Sequence, residues 1–279
     1  MECWHGLVES LLPFDWAQYD FMKNALLAVI LITPAFGLLG TMVIQSRLTF
    51  FSDVLGHSAL TGIAIGVVLG LGDPLWAMLI FAVIIAVGIN LIMRVTKAPP
   101  DMVIGVFFAI TVALGVVLLS RGGQFNKFTT YLIGDILAVN PEQILLLVIM
   151  LVVVIIYWIV AGNALVLISI SPVLASSRGL WVMLVRTSFA VLLALAVTLS
   201  IRWVGILLIN SLLVLPAVSG RLLARSVRGY CGWSVLIALV SGIGGLIVSY
   251  YWGTSSGATI VLFAAVIYGL VVIFRRAIR

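Results

Sequence analysis

Residues 52–70 read Ser-Asp-Val-Leu-Gly-His-Ser-Ala-Leu-Thr-Gly-Ile-Ala-Ile-Gly-Val-Val-Leu-Gly. The stretch shows no period-two alternation and is close to the roughly 20 residues that carry a helix across a bilayer. Asp53 is the only formal charge between Arg47 and Asp73. An ionisable residue at membrane depth costs several kcal/mol and marks a functional site by default. Asp53 and His57 are spaced i, i+4, so a helix stacks them on one face, one turn apart. A carboxylate and an imidazole placed this way form a half-site for a divalent transition metal. The only other histidine is His5, near the start of the chain. A plainer reading competes: Asp53 caps a helix near the cytoplasmic surface, or the pair is a structural hydrogen bond. If the helix begins near Gln45, Asp53 lies about 12 Å along it and His57 about 18 Å, close to mid-membrane.

The rest of the 279 residues extend the membrane reading. Hydrophobic residues make up 64% and charged residues 9%, where soluble domains carry roughly 25% charged. Mean hydropathy is +1.33. The long apolar runs suit helices and not barrel strands, so the expected fold is an all-α, polytopic membrane bundle. Hydropathy places spans near 24–45, 53–72, 74–93, 102–120, 142–161, 184–201, 204–222, 233–252 and 256–274. Eight spans remain an alternative if one segment only dips into the membrane.

The net charge of +6 belongs to span ends and implies no nucleic acid. With the N-terminus outside, inside segments hold eleven Lys and Arg, including Arg47, Arg94, Arg178 and Arg221, against four outside: Lys23, Arg121, Lys127 and Arg202. The bias supports N-out, C-in. Arg221, Arg225 and Arg228 read as positive-inside anchors before they read as contacts to a partner, and Arg202 as a headgroup anchor. Cys3 and Cys231 give no disulfide framework and no metal-ligand spacing. The start of the chain is acidic (Glu2, Glu9, Asp15, Asp20), so no cleavable signal is expected. Its aromatics, Trp4, Phe14, Trp16 and Tyr19, make residues 1–23 an interfacial segment lying on membrane lipid, ahead of a single transmembrane domain over 24–279.

Two connections stand out. Residues 121–141 contain Gly122-Gly123, Asn126 and a short apolar piece from Tyr131 to Val139, which reads as a re-entrant or interfacial helix. Residues 163–183 form the longest inside connection, with Ser171-Pro172 and Gly179. Gly62, Gly66 and Gly70 recur every four residues, the small-residue pattern that lets another helix approach. Their stripe points away from the Asp53/His57 face, so one side of the helix packs and the other presents polar groups to a pathway.

Several motifs now agree in order. Arg47-Leu-Thr-Phe-Phe-Ser-Asp-Val-Leu-Gly-His-Ser-Ala-Leu-Thr-Gly62 resembles the signature of membrane permeases of bacterial ABC importers for zinc, manganese or iron, the ABC-3 type. Ala98-Pro-Pro-Asp-Met-Val-Ile-Gly105 is similar to that family's cytoplasmic turn, and Leu132-Ile-Gly-Asp-Ile-Leu137 to its Gly-Asp segment. Val204-Gly-Ile-Leu-Leu-Ile-Asn-Ser-Leu-Leu-Val-Leu-Pro216 and Ser255-Ser-Gly-Ala-Thr-Ile260 resemble its late spans. The likeness runs from about residue 20 to 275.

The resemblance implies a homodimeric permease of the bacterial inner or plasma membrane, served by a cytoplasmic ABC ATPase subunit and an extracytoplasmic metal-binding protein. Asp53 and His57 would receive the transported ion, zinc first and manganese or iron next, with no permanently bound cofactor. Asn210 and Ser211, polar within the seventh span, and Asp135 are candidates for further ligands. Asp135 alternatively belongs to an outer gate, Asn210 to an interhelical hydrogen bond. The 163–183 connection would dock the ATPase, with Ala175 to Gly179 at its centre. The chain has no Gly-x4-Gly-Lys-Ser/Thr loop, Gly-x-Ser-x-Gly or His-Glu-x-x-His, so it is read as a transporter and not an enzyme, its energy coming from a partner or a gradient. A gradient-driven metal carrier acting alone is the alternative. It would call for more intramembrane acids than the chain shows. An intramembrane enzyme has only the Asp/His pair in its favour.

Overall fold

The computed structural model describes Trp4 and residues 15–71, 74–122 and 136–277. After a 3-10 turn at Asp15–Gln18 the helices run α1 (Asp20–Gln45), α2 (Phe51–Val68), α3 (Leu75–Thr96), α4 (Pro100–Gly122), α5 (Pro141–Ile170), α6 (Pro172–Ser177), α7 (Val182–Val204), α8 (Ile206–Leu223), α9 (Val227–Trp252) and α10 (Ser256–Ala277), with a second 3-10 turn at Ile136–Ala138. Among the described residues, nine of these helices are long and apolar enough to cross a membrane; α6 is the exception. Asp135 with residues 132–134 of the Gly-Asp segment, and His5, lie outside the described residues.

The chain divides into two compact units. One comprises Met1–Thr41, Gly134–Ile156 and Trp203–Arg279; the other comprises Met42–Ile133 and Tyr157–Arg202. In the first, α8, α9 and α10 pack on one another. Small residues set the spacing there. A Cβ on Gly245 would run into the Ile260 Cα, and one on Gly40 into the Leu213 carbonyl. Side-chain hydrogen bonds tie α9 to α1: Ser234 Oγ donates to the Gly37 carbonyl at 2.7 Å and Tyr230 Oη to the Thr41 carbonyl at 3.3 Å. Close approach and interhelical hydrogen bonds hold helices together where lipid removes the hydrophobic drive between them. Near the start of α1, Lys23 is 2% exposed, with Nζ donating to Asp20 at 3.1 Å.

In the second unit α2 packs against both α3 and α4. Gly62 lies where a Cβ would meet the Met78 Cα at 2.6 Å, and Gly66 faces Ala77 and Pro74 of the α3 entry. Thr61 Oγ1 donates to the Thr111 carbonyl at 2.7 Å, fastening α2 to α4. Tyr157 Oη bonds with Ser188 Oγ at 2.9 Å, linking α5 to α7.

Several element ends differ from the hydropathy reading. The third glycine of the stripe does not pack. α2 stops at Val68, and Gly70 (φ 70°) is the left-handed residue that ends it, its N–H bonding to Val67 O and that of Leu71 to Gly66 O. Glycine takes that conformation without a Cβ penalty. α5 runs to Ile170, so residues 163–170 of the expected inside connection are helix. At 1.5 Å per residue its 30 residues reach about 45 Å, beyond a hydrocarbon core of about 30 Å. α9 starts six residues before the apolar run because Ser226 caps it, accepting from the Gly229 N–H at 3.1 Å.

Candidate functional site

α2 begins at Phe51, not near Gln45, so Asp53 lies in its first turn and His57 one turn further on. The pair therefore sits near the start of the helix, closer to its N-terminal end than a helix starting at Gln45 would put it. Phe50, the residue before the helix, makes no side-chain cap. From Phe51 to Ala64 every residue of α2 is buried except Asp53, His57 and Leu60. These three recur at i, i+4 and i+7 and form one open stripe on an otherwise enclosed helix. Gly62 and Gly66 face α3, as the division into a packing side and a presenting side requires.

The stripe borders a cavity of about 480 Å³ between α2 and α4, whose lining includes Phe50, Asp53, His57, Asp101, Ile104 and Phe108. The Phe108 ring meets the His57 ring edge-on, centroids 5.0 Å apart and planes at 87°. That contact holds the imidazole in one orientation against α4. Asp101, in the first turn of α4, brings a second carboxylate to the same cavity. Sequence reading passed over it: it marks a cytoplasmic turn there, and only helix packing shows what it faces. Among the described residues no three His, Cys, Asp or Glu side chains stand close enough together to hold a metal. Asp53 and His57 are thus an incomplete set: two donors of the types that zinc, manganese and iron accept, on a face left open.

Asn210 and Ser211 are on α8, in the first unit. Ser211 Oγ donates back to the Leu207 carbonyl at 2.8 Å, so its hydrogen is already used. α6 starts at a Ser171 cap with Pro172 at its first position, Ser171 Oγ accepting from the Leu174 N–H at 3.2 Å. It ends in a Schellman motif, with Leu180 N–H to Ala175 O at 3.1 Å and Gly179 N–H to Ser176 O at 3.0 Å. Gly179 takes φ 77°. Ala175 is fully buried within the element. Val173 and Leu174 on the same helix are 77% and 46% exposed.

Among the described residues nine helices are long and apolar enough to cross a membrane, which is the make-up of a multi-pass membrane protein. The chain belongs to the ABC 3 transport family, whose model matches residues 18–275. It is 31% identical over 255 residues to the high-affinity zinc uptake system membrane protein ZnuB of Haemophilus influenzae, covering 91% of this chain and 97% of that one. It is 28% identical to the manganese transport system membrane protein MntC of Listeria innocua, covering 92% and 91%. The structure of PsaBC from Streptococcus pneumoniae in complex with Fab superimposes with TM-score 0.78 at 25% identity, covering 95% of this chain and 94% of that one. The chain is a multi-pass transport permease of the bacterial inner or plasma membrane, and not an enzyme.

Proposed function

We propose that the chain forms the membrane pathway of an ATP-driven importer for a divalent transition metal, zinc first and manganese or iron next. The observation that carries this is the Asp53/His57 stripe: two metal-type donors on the half-buried face of an otherwise buried helix, next to a cavity that Asp101 also lines. The ion is cargo, so a partial ligand set suits it, since a site that completed a rigid tetrahedral shell would hold its zinc. A homodimer would supply the rest by bringing a second Asp53/His57 pair across its axis. The names of the zinc and manganese relatives support the cargo class.

In this reading an extracytoplasmic binding protein delivers the metal, and a cytoplasmic ABC ATPase supplies the energy by docking on the 163–183 connection. Ser171, Ala175 and Gly179 shape α6 so that Val173 and Leu174 face the partner. Val173→Asp is expected to weaken ATPase co-purification by about 2 kcal/mol or more, about thirtyfold in affinity, as for a central interface residue. The permease itself stays in the membrane. Pull-down of the tagged chain against its ATPase checks this; unchanged recovery would remove Val173 from the interface.

The function itself is tested with the chain and its ATPase in proteoliposomes, with ATP inside or absent and an imposed proton gradient as the other arm. ATP-dependent accumulation of zinc, manganese or iron is the expected result. Accumulation driven by the gradient without ATPase would replace the importer with a secondary carrier.

A further inference from the structure

A second cavity, of about 270 Å³, collects the inner ends of α1, α3, α4, α5 and α7; its lining includes Gln45, Arg47, Asn90, Pro100, Ser169 and Arg186. Two arginines, both exposed, line it and no Asp or Glu does. Neither arginine side chain has a hydrogen bond or ion pair to a described residue. Gln45 Oε1 is buried there without a hydrogen-bond partner among the described residues. Arg47 also holds an unusual backbone. It is the left-handed residue that ends α1, at φ 56°, with its N–H on Ile44 O and the next N–H, of Leu48, on Val43 O. Glycine fills that position without strain. An arginine kept there gives up backbone comfort for its side chain, and strain of this kind gathers at functional positions. The positive-inside rule accounts for arginines on this side of the membrane. It does not account for two of them lining one cavity beside the buried, unpartnered Gln45 Oε1.

We propose that this cavity holds the phosphate of an inner-leaflet glycerophospholipid with a hydroxylated headgroup, of the phosphatidylglycerol type. Arg47 and Arg186 clamp the phosphate through charge-assisted hydrogen bonds, the interaction for which a guanidinium fork is suited. A headgroup hydroxyl donates to Gln45 Oε1 and satisfies it. The volume, about nine water molecules' worth, fits a headgroup and leaves the acyl chains in the bilayer. Basic pockets between the cytoplasmic ends of membrane helices hold lipid headgroups in this way. The inference is independent of which ion the chain moves.

The test is native mass spectrometry of the purified, delipidated complex titrated with phosphatidylglycerol, phosphatidylcholine or inorganic phosphate. Phosphatidylglycerol retained at one molecule per chain, in preference to phosphatidylcholine, is the expected result. Arg47→Gly and Arg186→Ala each weaken that retention about fivefold. Arg47→Gly relaxes the backbone while removing the guanidinium, so its melting temperature stays at or above wild type and lipid loss cannot be put down to misfolding. Unchanged retention in the double variant would overturn the proposal. So would binding of inorganic phosphate with no lipid retained, or loss of the ATPase subunit with lipid retention intact, which would make the arginines a protein contact.

Discussion

His57→Ala is expected to lower ATP-driven metal uptake by at least about a hundredfold while the complex still assembles, because losing only an outer-shell partner already costs 10–100-fold in metal affinity or activity. The imidazole is the one neutral nitrogen donor on the α2 stripe, and no other His, Cys, Asp or Glu among the described residues completes a cluster that would replace it. Asp53→Asn keeps the shape of the side chain and removes its charge, so it separates coordination from packing; a loss of similar size is expected. Asp101→Asn should reduce uptake less, since Asp101 borders the cavity without joining the pair in a metal cluster. Initial rates in proteoliposomes, with ATPase co-purification as the assembly control, check all three. Uptake within twofold of wild type in His57→Ala would remove the residue from the pathway.

Gly245→Leu and Gly40→Leu are expected to have the largest effects on folding. In a bundle held by close packing and not by a hydrophobic drive, the helix spacing at these points is set by a missing side chain. Even a Cβ would collide with backbone at both positions, the Ile260 Cα and the Leu213 carbonyl. Backbone cannot step aside as a flexible side chain can, so α9 must separate from α10, or α1 from α8. Overpacking typically costs 1–3 kcal/mol, and a leucine against backbone should reach about 3 kcal/mol or more at each site. Gly232→Ala is the control: a Cβ there meets nothing within 4 Å, and alanine favours a helix by up to about 1 kcal/mol. Detergent-solubilised yield and thermal melting of the purified chain should fall for the first two and hold for the third. Wild-type melting in Gly245→Leu would show that α9 and α10 do not meet as described.

The sequence carried the spans well and the packing partners poorly. Apolar runs of about 20 residues read directly as helices because lipid leaves the backbone few other ways to satisfy its hydrogen bonds. The Asp53/His57 face was readable for the same reason: polar groups in an apolar run stand out. Helix ends were harder. The break after α1 is made by Arg47, with no glycine or proline to announce it, yet the fall in hydropathy alone placed the next span at 53, two residues from the start of α2 at Phe51. Gly70 looked like a third packing glycine because the four-residue spacing continues past the point where the helix has stopped. α5 was underestimated because the span estimate stopped at bilayer thickness, at Gly162-Asn163, while the helix runs on through the mostly apolar residues 164–170. Asp101 and the exposed Val173 were invisible for a different reason: what a residue faces depends on which helix lies opposite, and no local pattern states that.

The central claim is that the transported metal is held by Asp53 and His57. X-ray absorption of zinc bound to the purified complex tests it most directly. The account predicts imidazole and carboxylate scattering in the wild-type spectrum and loss of the imidazole component in His57→Ala. A spectrum without imidazole, or one unchanged in His57→Ala, would contradict it.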